Sequence, residues 1–311
     1  MTRVVRIEVP TPYYVGPVNA WLLRGEACVL IDVGVRTPEA RETLRAGLRK
    51  EGVAFRDIQA VLLTHGHPDH FGLAREIRDE SGARVYAHEA DRKLVEGYPA
   101  THRRILEGFS EIASTHGFPP DRFDDAVAEY RSKGEIAESA PVDRALADGE
   151  TLEFGSLRLT AIHTPGHSNG SVCYHGGARI FCGDTVLERI TPITFFKGRR
   201  SRMGPGEFRR SIKRLKSLEV RMAYPGHRPK FADFAGAVSR IERHLELRTR
   251  RVLGAIEGEK TAWELSTVAF PKEHVARRWV SFAETLGHLE ELEAAGAIRS
   301  TEGRPVRWRR V

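Results

Sequence analysis

Four side chains able to hold a metal fall within six residues of a 311-residue chain: His65-Gly66-His67-Pro68-Asp69-His70. They close an apolar run, Ala60–Leu63, that reads as a buried strand. In an extended segment alternate residues share a face, so His65 and His67 can address one ion. Pro68 bends the path and leaves Asp69 and His70 free for a second ion. Neutral imidazole with carboxylate is the donor set of zinc or iron rather than of calcium. Three further segments each place one candidate donor beside a glycine, directly after an expected strand. They are Thr164-Pro165-Gly166-His167, Phe181-Cys182-Gly183-Asp184 and Tyr224-Pro225-Gly226-His227. Loops at strand ends are where a rigid scaffold presents functional groups. A single strand-end His or Asp is more often structural; four such elements in one chain point to a metal centre.

The elements that must position these groups alternate in type. Arg3–Val9, Ala20–Arg24 and Ala27–Val33 carry β-formers between Pro- and Gly-containing connections. Thr37–Lys50 has helical spacing with Pro38 in the first turn, and His70–Ser81 reads as the next helix, stopped by Gly82. Arg84–Ala87 reads as a strand, and the alternation predicts an α/β layered fold. Residues 88–140 are charged and lack β-branched runs, with helical patches around Arg103–Thr115 and Arg122–Lys133 broken at Phe118-Pro119-Pro120. They are expected to form a helical insert, a lid over the site in preference to a packing element. Thr151–Phe154, Leu157–Ile162, Ser171–Tyr174 and Arg179–Cys182 form a second β block. A helix at Phe208–Leu218 and a strand at Arg221–Tyr224 follow.

Beyond about Asp233 the β signal ends. Val238, Ile241, Leu245, Val252, Leu253 and Ile256 form one helical stripe. Thr261 with Glu264 has the capping-box pattern of a second helix. Trp279, Phe282, Leu286, Leu289 and Leu292 stripe a third, which Gly296 can end. The tail turns at Glu302-Gly303 between two runs able to pair, so three helices and a hairpin suggest a winged-helix-like module.

Composition narrows the function classes. No apolar run approaches the roughly 18–20 residues that span a bilayer, and no signal-peptide core follows Met1. Cys28, Cys173 and Cys182 are an odd set at no metal-like spacing, so a disulfide framework is not expected and a cytoplasmic protein is. A formal charge of +7 favours phosphates, carboxylates or nucleic acid as partners.

The set HxHxDH, TPGH, GD and PGH resembles the metallo-β-lactamase superfamily over residues 1 to about 232. The resemblance implies an α/β fold, a four-layered αββα sandwich carrying the 88–140 helical insert, with metals at one edge. By motif, His65, His67 and His167 would hold one ion; Asp69, His70 and His227 would hold another; Asp184 would bridge them. Asp32, in Ile31-Asp32-Val33-Gly34, would support the His-rich loop from behind. Two divalent ions are implied, Zn2+ foremost, with Mn2+ or Fe2+ as alternatives. Such a pair acidifies bound water to a pKa on the order of 7 and stabilises a developing oxyanion. The implied activity is hydrolysis by a metal-bridging hydroxide, oriented by Asp69, of an ester, thioester or related acyl substrate. A metal-dependent endoribonuclease or phosphodiesterase is the alternative, and a mononuclear iron persulfide dioxygenase a third reading. Common β-lactamases place a cysteine where this chain has Asp184, so antibiotic hydrolysis is not expected. Cys182, two residues earlier and pointing the same way on an extended strand, is read as a core residue.

A catalytic unit at 1–232 followed by a module at 233–311 is similar to the lactamase-β-2-like group, which includes an endoribonuclease acting on single strands. Arg299, Arg304, Arg307, Arg309 and Arg310 make the tail basic, but Glu284, Glu290, Glu291 and Glu293 on the third helix would repel phosphates. A structural or substrate-wall role is therefore expected over DNA reading. Lys197, Arg199, Arg200 and Arg202 could clamp a phosphate or carboxylate of a small anionic substrate. RNA is the alternative partner, no membrane contact is expected, and the superfamily implies a homodimer. His88 is read as a cap or support rather than a ligand, and His163 could face either way.

Overall fold

All of β2 (Val18–Arg24) except its last residue is buried, the mark of a strand covered on both faces. In the computed structural model, which describes residues 2–194, 203–272, 274 and 277–311, β2 lies between β1 (Arg3–Val9) and β3 (Cys28–Ile31). The sheet continues through β4 (Ala60–Leu62), β5 (Arg84–His88) and β6 (Arg144–Leu146). The first three strands are antiparallel, and β3 to β6 run parallel. Parallel neighbours need crossovers. The first is α1 (Pro38–Lys50), capped by Thr37 with Pro38 in its opening turn.

The helix expected over 70–81 is two helices, α2 (Pro68–Phe71) and α3 (Ala74–Ser81). Between them the backbone of residues 34–36 crosses so closely that a Cβ on Gly72 would stand 2.6 Å from the Arg36 nitrogen. The insert holds α4 (Glu89–Glu96), α5 (Ala100–His116) and α6 (Pro120–Ser132). Because β5 and β6 pair directly, the insert is the enlarged crossover between adjacent parallel strands.

A second sheet is built from β7 (Thr151–Phe154), β8 (Leu157–His163), β9 (Val172–Gly176) and β10 (Arg179–Gly183). Then α7 (Pro205–Leu215) crosses to β11 (Met222–Pro225), which pairs parallel with β10. Alternation of side chains divides the apolar residues among layers. Trp21, Leu23, Ile31 and Leu62 face Leu159, Tyr174, Phe181 and Tyr224 between the sheets. Leu22, Leu30 and Val61 pack outward on Leu44, Leu48 and Ile77, while Ile162, Cys173 and Cys182 pack on Phe208, Ile212 and Ile241. The result is an αββα sandwich.

The remaining chain forms α8 (Phe234–Ala255), β12 (Lys260–Thr261), α9 (Ala262–Ala269), α10 (Arg278–Ala294), β13 (Ile298–Ser300) and β14 (Arg307–Arg310). The capping box of Thr261 and Glu264 opens α9, and the tail hairpin extends to a three-stranded sheet ordered β12-β14-β13. The first half of α8 packs on the second sheet through Phe234, Val238 and Ile241. Its last turns join Trp279, Phe282, Leu289 and Trp308 in a core that also takes Phe109, Phe118 and Val127 from the insert. The apolar faces of α5 and α6 are thus used in packing, where the sequence favours a lid. Residues 279–289 of α10 are all buried, leaving that stretch no free face for a nucleic-acid groove. Three of the five tail arginines face acids: Arg307 meets Glu264, Arg309 meets Glu259 and Arg304 meets Glu111. Among the described residues no helix is long and apolar enough to cross a membrane.

Candidate metal centre

The four motifs meet at one edge of the sandwich. His67 caps α2 from an extended backbone with Pro68 behind it, so Asp69 and His70 turn inward on the first helical residues. His167 follows β8, Asp184 follows β10 and His227 follows β11. Gly183 takes φ 46°, a left-handed conformation that breaks the strand between Cys182 and Asp184. The two side chains therefore do not point the same way. Cys182 lies in the core under α7 and α8, its thiol donating to the Val186 carbonyl at 3.1 Å, while Asp184 turns to the edge.

His67 Nδ1 lies 3.0 Å from both His65 Nε2 and His167 Nε2. A single N–H can satisfy one acceptor, so three converging imidazole nitrogens are better satisfied by a cation. Nitrogens about 2.0–2.1 Å from a tetrahedral ion would stand about 3.3 Å from one another. A second group brings Asp69 Oδ2 within 3.4 Å of His227 Nε2 and 3.7 Å of His70 Nε2. One oxygen faces both groups: Asp184 Oδ2 is 3.7 Å from His167 Nε2, 3.7 Å from His70 Nε2 and 3.6 Å from His227 Nε2. His70 Nε2, His227 Nε2 and Asp184 Oδ1 are buried and make no hydrogen bond among the described residues. Orphaned buried donor atoms of this kind are costly unless a ligand takes them. The donor set fits divalent ions, and His65, His67, Asp69, His70, His167, Asp184 and His227 are the residues that could hold them.

The surroundings fix which nitrogen each ring presents. Asp32 Oδ2 accepts from His70 Nδ1 at 2.8 Å, and Thr64 Oγ1 lies 3.1 Å from His65 Nδ1. The carbonyl of Ile193 takes His167 Nδ1 at 2.8 Å, and that of Pro17 takes His227 Nδ1 at 2.9 Å. With Nδ1 tied in all four, Nε2 is the atom turned to the cluster. Asp32 also accepts from the Thr64 N–H and hydroxyl, both at 2.8 Å, from a left-handed backbone with φ 56°. These bonds tie the start of the His-rich loop to the end of β3.

Electrostatics separates the groups. Burial, reinforced by the neighbouring imidazoles, pushes His65 well below its ordinary value. For His70 burial pulls down, but Asp32, Asp69 and Asp184 outweigh it and raise the group well above. Burial would raise Asp69, yet His70 and His227 bring its carboxyl down to about 2. Asp184 is likewise held well below the carboxylate range by His227, His70 and His167 against its burial. Both carboxylates are anionic at neutral pH.

Sequence reading missed one residue here. Asp91, buried in the first turn of α4, accepts from Gly66 N–H, Gly170 N–H and the Ser168 hydroxyl. A lone acid at a helix start carries no spacing signal. His88 caps α4 by accepting from the Ala90 N–H, and its ring stacks on His163 at 3.7 Å, so neither imidazole joins the cluster. Lys197, Arg199, Arg200 and Arg202 lie outside the described residues.

Residues 13–227 match the family model described as the metallo-beta-lactamase superfamily. The chain is 28% identical over 308 residues to the "Probable metallo-hydrolase YqjP" of Bacillus subtilis, covering 96% of this chain and 94% of that protein. It is 30% identical over 179 residues to the human "Acyl-coenzyme A thioesterase MBLAC2", covering 55% of this chain and 58% of that one. A crystal structure of a metallo-beta-lactamase family protein from Thermus thermophilus superimposes with a TM-score of 0.81 at 33% identity, over 99% of this chain and 98% of the other.

Proposed function

We propose that this chain, which belongs to the metallo-β-lactamase superfamily and is a metal-dependent hydrolase, is a dinuclear enzyme that cleaves an acyl ester or thioester. The observation that carries the reading is the single oxygen, Asp184 Oδ2, almost equally distant from ligand nitrogens of both groups. A mononuclear iron oxygenase would leave Asp69 and His227 without a task. Zn2+ suits the imidazole and carboxylate set best, with Mn2+ or Fe2+ as alternatives. Two divalent ions supply a Lewis acid for the substrate oxygen and an acidified water as nucleophile. Asp69, anionic and with one oxygen toward His227, would orient such a water by accepting a hydrogen bond from it. Asp184 supplies the negative charge between the two groups. The Nδ1 anchors hold the orientation of His65, His70, His167 and His227, and His67 is packed between His65 and His167.

The thioester class is supported by the name of the human relative. The nuclease reading is weakened by the buried residues 279–289 of α10 and by the acids facing Arg304, Arg307 and Arg309. Residues 233–311 are read as a winged-helix-like module that walls the site. Lys197, Arg199, Arg200 and Arg202 are assigned to an anionic part of the substrate. Both flanks of that segment touch the His167 loop, Ile193 through His167 Nδ1 and Gly204 through its N–H to the Gly166 carbonyl.

The test is metal content by mass spectrometry, with turnover of acyl-coenzyme A and S-acylglutathione thioesters and of a short single-stranded RNA, by wild type and Asp184→Asn. Two ions per chain and thioester turnover falling about 100-fold or more in the variant are expected. One iron per chain with dioxygen consumption, or RNA cleavage without thioester turnover, overturns the proposal.

A further inference from the structure

Two loops 100 residues apart in sequence deliver His67 and His167 to the same point. The sheets do not by themselves align them, because one loop follows the first sheet and the other follows the second. Between them sits a carboxylate with no part in the ligand set. Asp91 Oδ2 accepts from the Gly66 N–H at 2.9 Å and from the Ser168 hydroxyl at 2.7 Å, while its Oδ1 accepts from the Gly170 N–H at 2.9 Å. Gly66 lies between His65 and His67, and Ser168 directly follows His167. A Cβ on Gly170 would stand 2.7 Å from the Asp91 backbone nitrogen, so α4 is seated hard against the His167 loop. Ser171 continues the chain, its Oγ 2.8 Å from Ser168 Oγ and accepting from the Ser168 N–H. Asp91 is 3% exposed, and buried hydrogen bonds to an ionised acceptor are among the stronger ones.

We propose that Asp91 is a positioning residue for the three-histidine group. It fixes the separation of the His65–His67 and His167 loops and thereby sets the affinity of the ion they share. The inference rests on the metal centre proposed above. It gives the start of the insert a role distinct from the packing of α5 and α6: α4 is the clamp that closes the two sheets' loops on one another.

The consequence is selective. Removing the clamp weakens binding at His65, His67 and His167, while Asp69, His70 and His227 keep their own supports in Asp32 and the Pro17 carbonyl. Outer-shell partners of metal ligands typically contribute 10–100-fold in affinity. The experiment titrates the metal-free protein with Zn2+ against a chromogenic chelator, for wild type, Asp91→Asn, Ser168→Ala and Asp143→Asn. Asp143 is the control: it accepts from Arg78 and the Val85 N–H on the first sheet and touches neither loop. Expected is a 10–100-fold loss of affinity for one of two ions in Asp91→Asn, and a smaller loss for the same ion in Ser168→Ala. Asp143→Asn should melt at lower temperature yet bind both ions as wild type does. Wild-type affinities in Asp91→Asn and Ser168→Ala, or an equal weakening of both ions, overturn the inference. Should Asp91→Asn fail to fold, Ser168→Ala decides alone. Failure of the wild type to bind two ions would instead overturn the metal centre itself.

Discussion

Replacing Asp32 by Asn is nearly isosteric, yet it cannot preserve the three hydrogen bonds that this buried carboxylate accepts. An amide has one oxygen and one nitrogen in place of two oxygens. With the oxygen toward the Thr64 N–H, the NH2 faces the Thr64 hydroxyl and His70 Nδ1. The hydroxyl can rotate to accept; the imidazole can accept only by moving its proton to Nε2, the atom that must bind metal. With the amide reversed, the NH2 meets the Thr64 N–H, and a buried donor left unsatisfied costs about 1–3 kcal/mol. Either arrangement penalises the state in which His70 Nε2 is free for an ion. A 10–100-fold loss of affinity is expected at the Asp69, His70 and His227 group, or about 1.4–2.7 kcal/mol. The backbone at φ 56° adds little, because Asn visits the left-handed region readily. Asp32→Ala would add a further ~1–2 kcal/mol there. The assay is a chelator-competition titration for both ions, with urea melts of the metal-free proteins to separate affinity from folding. If Asp32→Asn binds both ions as tightly as wild type, Asp32 does not set the His70 tautomer and the reasoning fails.

Trp279 is buried among Phe109, Phe118, Phe123 and Phe282, so Trp279→Ala should cost about 3–5 kcal/mol in denaturant melts. Hydrogen exchange should quicken in α5 as well as α10; quickening confined to α10 would mean that the insert does not share that core. His288 is fully buried, and although burial pulls it down, Glu284 and Glu291 hold it above its ordinary value. A raised folded value means its stabilising contribution is complete below about pH 6.5 and is lost as pH rises through the folded value. The stability gap between wild type and His288→Gln should therefore shrink on going from about pH 6 to about pH 9, and a constant gap would refute the pairing. Glu291 is brought down to about 2, against burial, by His288 and Arg209. Its contribution should persist above the ordinary carboxyl range near pH 4.3 and fade as acid approaches pH 2. Melts of wild type and Glu291→Gln check this.

What was legible in the sequence was whatever demanded a particular residue type. The His-rich run and the three strand-end glycine motifs were readable because few side chains bind metals and few backbones present them; Asp32 came only from its motif position. The alternation of β blocks and helical periods gave an α/β layered fold; the αββα arrangement came from the resemblance of the motifs. The break between α2 and α3 was not readable, since it comes from the 34–36 backbone crossing Gly72, a contact between segments far apart in the chain. β6 is three residues long and owes its strand form to its neighbour β5. The turn at Gly183 was hidden for another reason: a glycine permits a left-handed backbone without requiring it. Asp91 was invisible because its partners, Gly66 and the 168–170 loop, adjoin it only after both sheets have formed.

The two unliganded carboxylates complete the electrostatics of the edge. Two divalent ions in a buried site need compensating charge near at hand. Asp69 and Asp184 provide part of it from within the cluster, and both stay ionised there. In the proposed two-ion centre Asp32 would stand behind one ion through His70, and Asp91 behind the other through the Gly66 N–H and the Ser168 hydroxyl. Each comes from a different part of the first sheet, one at the end of β3 and one just beyond β5. Neither is free to move, because each accepts three hydrogen bonds from fixed donors. In the proposed centre the charge facing the ions would then be set by the fold rather than by side-chain adjustment, which is what preorganised stabilisation of a developing oxyanion requires. A substitution at either aspartate alters the field at one ion while leaving its direct ligands in place. The two variants should then differ in which ion they weaken, Asp32→Asn at the Asp69 group and Asp91→Asn at the three-histidine group. That difference is what separates a pair of dedicated supports from general damage to the edge.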